Sequence, residues 1–422
     1  MSTAVGAPGS SASSTGRRAG DVILRDGGTV RVRAVTPADE ARLADFVQGV
    51  SSRARYLRYG GGMGAESLAR EARRQARVAE DGGIGLLATC GPDARVIAHA
   101  ELTGVRADRA EIGFLVDDAW QGHGLGTLLV AQLAQHARAS GILTLEAVVL
   151  PENHEMLAVF RDAGFPLRTH VAPGEIRVEL ATDFTPEAMD RFEAREWHAA
   201  VHSLTPFFHP RAVAVIGASR RRGAISAEVF HNLLRGGFEG AVAPVNPNAP
   251  VVQSVRAYRS VEDVPGPVDL AVLVVPAAQV VAAAEACGRK GVRALVVISA
   301  GFAEIGAEGR ARQDALVRAC RDAGMRLIGP NCMGIANTDP AVRLDATFAP
   351  DPPPAGRIAF MSQSSAPVCD PAARAPAGER PLFTATIGLV RATCRAMREN
   401  WRGLPNDSRY SRITSAAGSC AQ

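Results

Sequence analysis

The sequence predicts an α/β protein with two unlike halves and a tail. A mixed-sheet domain with helices packed on it is followed by a doubly wound, parallel-sheet domain and an irregular C-terminal stretch. Three observations carry this. Residues 84–89, 96–103 and 110–116 read as successive strands, and a strict helix, strand, helix alternation follows them over 125–163. After Pro210 the strands become short, continuous apolar runs separated by helices, as expected where both faces of a parallel sheet are covered. From about Ala366, prolines and arginines are scattered without helical or strand period.

Taken in order, residues 1–20 are rich in Ser, Ala and Gly and lack an apolar core, so they read as a flexible tail and not a signal peptide. The first domain spans 21–181. Residues 30–35 alternate like a strand, and Thr36 caps a helix that opens at Pro37. Over 125–140, Leu125, Leu128, Leu129, Leu133 and Ala137 fall on one helical face. A strand at 144–149 and a helix at 152–163, closed by Gly164, complete the pattern. Residues 182–206 form a helical linker, with its helix over 186–204. The second domain, 207–350, has strands at 212–216, 241–245, 270–275, 294–298 and 326–328, and its ligand crevice is expected at their carboxyl ends. Residues 351–422 open on a Pro-rich linker and a strand near 357–361.

Composition excludes several classes. Hydrophobic residues make up 47% and charged residues 21% of 422, which suits a soluble globular protein of two or three domains. A net charge of +4 gives no reason to expect nucleic acid, and the surplus lies in the tail, where eight Arg face four acidic residues. No apolar run is long enough for a membrane span. Seven scattered cysteines with no C-x-x-C pair suggest reduced thiols in a cytoplasm, not a zinc site. The single lysine, Lys290, against 46 arginines fits a GC-rich coding bias; it would also suit a protein that modifies lysines.

The most informative stretch runs from Glu111 to Thr127. A strand leads into the turn Gln121-Gly122-His123-Gly124, and Leu125-Gly126-Thr127 opens an amphipathic helix. Glycines let the backbone approach an anion, and a helix N-terminus offers unpaired N–H groups and a positive dipole end. Pyrophosphate is the natural guest. The spacing Gln121-x-x-Gly124-x-Gly126 resembles the acyl-CoA pyrophosphate loop of the GNAT superfamily of N-acetyltransferases. Asn153 and the helix ending in Gly164-Phe165 resemble that superfamily's fourth helix. The resemblance covers the whole first domain. It implies acetyl-CoA as co-substrate, held by Val116, Gln121, Gly122, His123, Gly124, Leu125, Gly126, Thr127 and Asn153.

Acetyl transfer needs a deprotonated amine. A lysine side chain has a pKa of about 10.4 and arrives protonated, so a base must take its proton directly or through water. Glu111 is the expected base: it lies on the strand feeding the loop, with Ile112 and Phe114 as apolar neighbours in sequence. Glu101 on the preceding strand is the second candidate. Many GNAT enzymes carry a tyrosine seven residues after the helix-four Asn as general acid; here Phe160 stands there, so solvent is expected to protonate the departing thiolate.

In the second domain, a strand ends in Gly217-Ala-Ser219, followed by Arg220, Arg221, Arg222 and Gly223. This is not the dinucleotide fingerprint, and NAD is not indicated. The turn, together with Pro244-Val-Asn-Pro247, Ser299-Ala-Gly-Phe302 and Gly329-Pro-Asn331-Cys332, resembles the Rossmann-like CoA-binding domain of NDP-forming acyl-CoA synthetases. The resemblance implies CoA or acyl-CoA bound at Gly217, Ser219, Asn331 and Cys332. Ser362-Gln-Ser364 resembles the start of that family's flavodoxin-like domain, but Ser365 replaces its glycine and the likeness stops there, as a truncation or frameshift would produce.

The combination resembles the actinobacterial arrangement of Pat-type protein lysine acetyltransferases. That resemblance implies protein substrates of the AMP-forming acyl-CoA synthetase class and a non-catalytic, regulatory second domain. Two alternatives stay open: a small-molecule amine N-acetyltransferase, and a non-enzymatic acyl-CoA sensor. An acidic pocket around Glu111 and Glu101 would favour a small amine, and an open groove a protein. Oligomeric state is not legible.

Overall fold

The computed structural model describes residues 20–351 apart from 92 and 184, residue 355, and two strands beyond them. Its first domain is built on an eight-stranded sheet. In chain order the elements are β1 (Gly20–Ile23), β2 (Thr29–Ala34), α1 (Glu40–Gly49), α2 (Ser52–Tyr59), α3 (Ala65–Ala76), β3 (Ile84–Cys90), β4 (Arg95–Arg106) and β5 (Arg109–Val116). Then come α4 (Leu125–Ala139), β6 (Thr144–Val149), α5 (His154–Ala163), β7 (Leu167–Ala172) and β8 (Glu175–Ala181). The strand order is β1-β2-β3-β4-β5-β6-β8-β7.

Every neighbouring pair is antiparallel except β5 and β6. Those two run parallel and pair only at Arg109–Thr144, Ala110–Leu145 and Glu111–Glu146. Beyond that point they part, although β5 continues to Val116 and β6 to Val149. The sheet therefore opens a wedge in its middle. Alternating residues of β5 serve two cores: Ala110, Ile112 and Phe114 face α4 and α5, whereas Leu115 faces α1 and α3. Each fully buried leucine of α4, such as Leu129 or Leu133, contributes about 1.5–3 kcal/mol to holding the helix on the sheet.

A single long helix, α6 (Pro186–Phe208), joins the halves. Thr185 caps it by accepting from the Ala188 N–H, and Pro186 occupies the position where a missing N–H costs nothing. The helix runs on past the expected end at residue 204. Pro206 falls within its last turn, and Phe207, fully buried in the second domain's core, anchors that turn.

The second domain contains β9 (Ala212–Ile216), α7 (Ile225–Arg235), β10 (Ala241–Val245), the small hairpin β11 (Val251–Val252) and β12 (Val255–Arg256), β13 (Leu270–Leu273), α8 (Ala277–Lys290), β14 (Ala294–Val297), α9 (Ala307–Asp322) and β15 (Arg326–Ile328). The parallel sheet has the order β10-β9-β13-β14-β15. Its direction of winding reverses beside β9, which makes the carboxyl end of β9 the switch point. Val213 and Val215 face one helical layer, and Ala214 and Ile216 the other.

A further sheet has the order β17-β16-β19-β18, from β16 (Gly334–Asn337), β17 (Leu344–Thr347), β18 (Ile358–Ser362) and β19 (Pro381–Thr386). The strand near 357–361 is thus present as β18. The tail, however, is not without regular structure. β19 lies inside it, antiparallel to β16 and parallel to β18. Its partners are remote in sequence, so local periodicity carried no sign of it. The remaining residues of 363–422, including Gln363 to Ser365, and the N-terminal residues 1–19 lie outside the described residues.

Candidate active site and the second crevice

Next to the wedge between β5 and β6 lies a cavity of about 1110 Å³, lined by the end of β5 and by residues of β1, α2, α4, α5 and α6. The turn after β5 forms one end of it. Asp117 caps a short turn by accepting from the Ala119 N–H, and the Gln121 side chain donates to the Val116 carbonyl at 3.2 Å, folding the loop back on its strand. Gly122 and Gly124 have φ of 78° and 84°, backbone that other residues adopt only with strain. Gly124 immediately precedes α4, which has no side-chain cap and no acidic residue in its first turn. Its positive end therefore faces the cavity without a competing carboxylate. Gly126 lies on the helix face beside Phe114 and Val159, where an added Cβ would fall about 3.4 Å from the Phe114 ring.

Val116, Gln121, Gly122, Gly124, Leu125, Gly126, Thr127 and Asn153 all line this cavity. His123 does not. It turns to the far side of the loop, where its Nδ1 lies 2.9 Å from Asp26 Oδ2, and it lines a second cleft. Asn153 caps α5 through its oxygen, which accepts from the Met156 N–H at 3.1 Å; its amide nitrogen is what it can offer a ligand. Phe160 is fully buried and meets Phe114 edge to face at 5.9 Å. It supports the cavity wall and carries no proton.

Glu111 occupies a different environment from the one expected. It is exposed, and it is absent from the lining of the cavity. Ile112 and Phe114 are its neighbours in sequence but point, by strand alternation, through the opposite face of the sheet. The apolar side chains of Ile112 and Phe114 are therefore not its surroundings. What Glu111 does have is position: it is the last residue of β5 paired with β6 before the strands part.

Glu101 is buried and doubly paired, accepting from Arg58 Nη2 and Arg74 Nη2 at 2.7 Å each. Two guanidinium groups make it a charged anchor, not a free base. Arg58 lines the cavity and lies over Gly113 so closely that a Cβ there would overlap its guanidinium. Sequence reading missed Arg58. The only sign of it was a glycine inside a strand, which often marks a close approach. Asp118 accepts from the Ser51 N–H and hydroxyl at 2.8 and 2.6 Å; these bonds lower its pKa and tie the start of α2 to the loop.

In the second domain the expected residues gather at the carboxyl ends of the strands. Gly217 follows β9 with φ of 93°, and a Cβ there would meet the Val274 carbonyl at 2.5 Å. Ser219 Oγ accepts from the Arg221 N–H at 3.0 Å and shapes the turn. Arg220, Arg221 and Arg222 are exposed. Asn331 sits after the cis Gly329–Pro330 bond with φ of 56°, and its N–H donates to the Ser299 carbonyl at 3.0 Å. Cys332 departs from expectation. It is buried, its thiol donates to the Val297 carbonyl, and burial pushes its pKa up to about 12. Its side chain packs the crevice floor and is not presented to a ligand.

Comparison with known proteins agrees with this geometry. Residues 29–166 match the acetyltransferase (GNAT) domain family and residues 211–338 the CoA binding domain family. The chain is 48% identical over 164 residues to acetate–CoA ligase [ADP-forming] II subunit alpha of Pyrococcus furiosus, covering 39% of this chain and 35% of that protein. It is 36% identical over 185 residues to 4-hydroxybutyrate–CoA ligase [ADP-forming] of Nitrosopumilus maritimus, covering 44% and 26%. The match thus spans about a quarter to a third of the length of these curated relatives. Among solved structures, the GNAT domain of S. lividans PAT is 35% identical, with 39% of this chain and 96% of that one covered at a TM-score of 0.35. The chain therefore joins a GNAT acetyltransferase domain, whose co-substrate is acetyl-CoA, to a domain that binds CoA. No helix among the described residues is long and apolar enough to cross a membrane.

Proposed function

We propose that the chain is an acetyl-CoA-dependent protein lysine N-acetyltransferase acting in the cytoplasm on AMP-forming acyl-CoA synthetases, with a non-catalytic, regulatory CoA-binding domain. The acyl-CoA lies in the wedge, its pyrophosphate on the bare N-terminus of α4 and its thioester toward the point where β5 and β6 part. The acceptor amine attacks the thioester carbonyl, the C–S bond breaks, and the thiolate takes a proton from solvent. Glu111, at the vertex of the wedge and open to water, receives the amine proton through a water molecule.

The observation that favours a protein acceptor over a small polyamine is the charge near the site. Glu101, which could have made an acidic pocket, is buried and neutralised by Arg58 and Arg74. The cavity is lined by more arginines (Arg25, Arg53, Arg58, Arg161, Arg191 and Arg195) than carboxylates (Asp118, Glu155, Asp162 and Glu196), a balance that does not draw in a free polyamine. Incubation with radiolabelled acetyl-CoA and an AMP-forming acetyl-CoA synthetase tests the reading. Label on the synthetase with loss of its activity is the expected result. Binding of acetyl-CoA without label on any protein, but with turnover of a small amine, would replace it. Binding with no transfer at all would leave a sensor.

A further inference from the structure

Behind the phosphate loop lies a second cleft, of about 700 Å³, between the two domains. The first domain contributes Arg25, Asp26, Gly122 and His123; α6 contributes His202 and Thr205; the second domain contributes Arg211, Asp269 and Arg293. Arg25, Gly122 and His202 also line the acyl-CoA cavity, so the two spaces meet at the loop.

The cleft is basic, and its two carboxylates are already engaged. Asp26 is paired with His123 and accepts from the Gly28 N–H at 2.9 Å. Asp269 accepts from the backbone N–H groups of Arg211 and Ala212 at 2.7 and 3.2 Å. Arg293 donates to the Asp26 carbonyl across the domain boundary, which fixes its guanidinium beside the loop. Arg211 Nε lies 3.7 Å from Asp269 Oδ2 and His202 Nδ1 lies 3.0 Å from the Arg25 carbonyl; the three guanidinium groups of Arg25, Arg211 and Arg293 still outnumber the two carboxylates.

This position is unusual for a doubly wound domain. Arg211 precedes β9, Asp269 precedes β13 and Arg293 precedes β14, so all three lie at the amino ends of the parallel strands. Such a sheet holds its own ligand at the carboxyl ends. The basic lining at the amino edge is therefore not part of the second domain's own crevice. It faces the back of a loop whose front receives a pyrophosphate.

We propose that the second domain completes the acetyl-CoA site of the first: the interdomain cleft receives the 3′-phosphorylated adenosine end of the acetyl-CoA bound in the wedge, and Arg293 and Arg211 meet its phosphate. This rests on acetyl-CoA binding in the wedge but not on the identity of the acceptor. Trp120 lines the wedge and not the cleft, so the fluorescence change lost in Trp120→Phe reports binding there and ignores the second domain's crevice.

The full-length chain should bind acetyl-CoA about tenfold or more tightly than acetyl-3′-dephospho-CoA, the size expected of a charge-assisted hydrogen bond. Arg293→Ala and Arg211→Ala should each erode that preference while leaving the affinity for the dephospho compound within about twofold of wild type. Because Arg293→Ala also removes a contact between domains, Arg211→Ala is the control for misplacement of the domains. Adenosine 3′,5′-bisphosphate should compete with acetyl-CoA. Equal preference in wild type and both variants would overturn the proposal. So would simultaneous binding of the bisphosphate and acetyl-CoA, which would make the cleft a separate nucleotide site. No Trp120 response to either acyl-CoA would instead strike at the wedge reading itself.

Discussion

Two turns of this molecule share one sequence grammar, a strand ending in glycine ahead of a helix, yet present different surfaces. After β5, Gly122 and Gly124 have open space or a distant side chain where a Cβ would stand, and α4 begins at once with a bare N-terminus. After β9, Gly217 is pressed against the Val274 carbonyl, and α7 starts only at Ile225. There the Gly223 N–H already donates to Glu228 at 3.1 Å, and Glu228 sits in the first turn of α7. The first turn carries no carboxylate at its helix start, whereas the second is met by the protein's own Glu228. A glycine in such a turn adopts backbone that other residues avoid in both cases, beside a cavity in one and against the neighbouring strand in the other.

The largest expected effect separates chemistry from binding. If the first turn belongs to a catalytic site and the second does not, Glu111→Gln should lower kcat by about 10²–10⁴-fold, the usual worth of a general base. Acetyl-CoA affinity should stay unchanged, as read by Trp120 fluorescence. Unchanged turnover would remove Glu111 from the mechanism and reduce the wedge to a binding site.

Next is the loop itself. Gly124→Val places a β-branched residue at φ of 84° and so strains or reshapes the anion cradle. A loss of about 100-fold in kcat/KM for acetyl-CoA is expected, with the melting temperature of the second domain unaltered. Gly217→Val should do the reverse. Its side chain meets backbone, so the second domain should be destabilised, while transfer measured at saturating acetyl-CoA persists.

Acid should also tell the two domains apart. His99 is fully buried in the first domain, and burial lowers its pKa to about 4 from 6.5. The unfolded chain takes up that proton as pH falls through about 6.5, whereas the native domain resists until about 4. The native state then binds fewer protons, and stability falls on acidification, by about 3 kcal/mol across that window. In the second domain Asp345 has its pKa raised by burial. There the native state binds more protons than the unfolded one, and mild acid relieves a penalty. Hydrogen exchange at pH 7 and pH 5 should show β3 and β4 losing protection while β16 and β17 do not. Equal losses, or a first domain indifferent to pH in His99→Gln and wild type alike, would contradict this assignment.

The sequence made some of this difference legible and hid the rest. The five parallel strands of the second domain were readable because short apolar runs bounded by turn residues are local signals. The glycine turn that opens α4 was readable because its spacing is contiguous. Helices α2 and α3 were not read, since their buried residues, Ala54, Leu68, Ala72, Gln75 and Ala76, are few and small among arginines. The side of the sheet on which Glu111 sits follows from alternation and could have been deduced; the opposite face of Ile112 was the clue. The pairing of Arg58 and Arg74 with Glu101, and the approach of Arg293 to the phosphate loop, join residues 27 to 267 positions apart. Nothing local in the sequence specifies such contacts.

The smallest expected effect bears most directly on why the two turns differ. If Glu228 partly fills the second anion site, Glu228→Gln should remove its charge and keep an acceptor for the Gly223 N–H. A carboxylate in the first turn of a helix is worth about 0.3–1 kcal/mol against the dipole, and a bound phosphate must compete with it. CoA should therefore bind the second crevice about two- to fivefold more tightly in Glu228→Gln. The measurement is calorimetric titration in a Gly124→Val background, where the first site is silent. A gain would show that the second domain holds CoA weakly through self-occupancy, the property a sensor of CoA level needs. An unchanged or weaker affinity would mean that Glu228 only shapes the turn, and that the closeness of Gly217 to Val274, not charge, sets the difference.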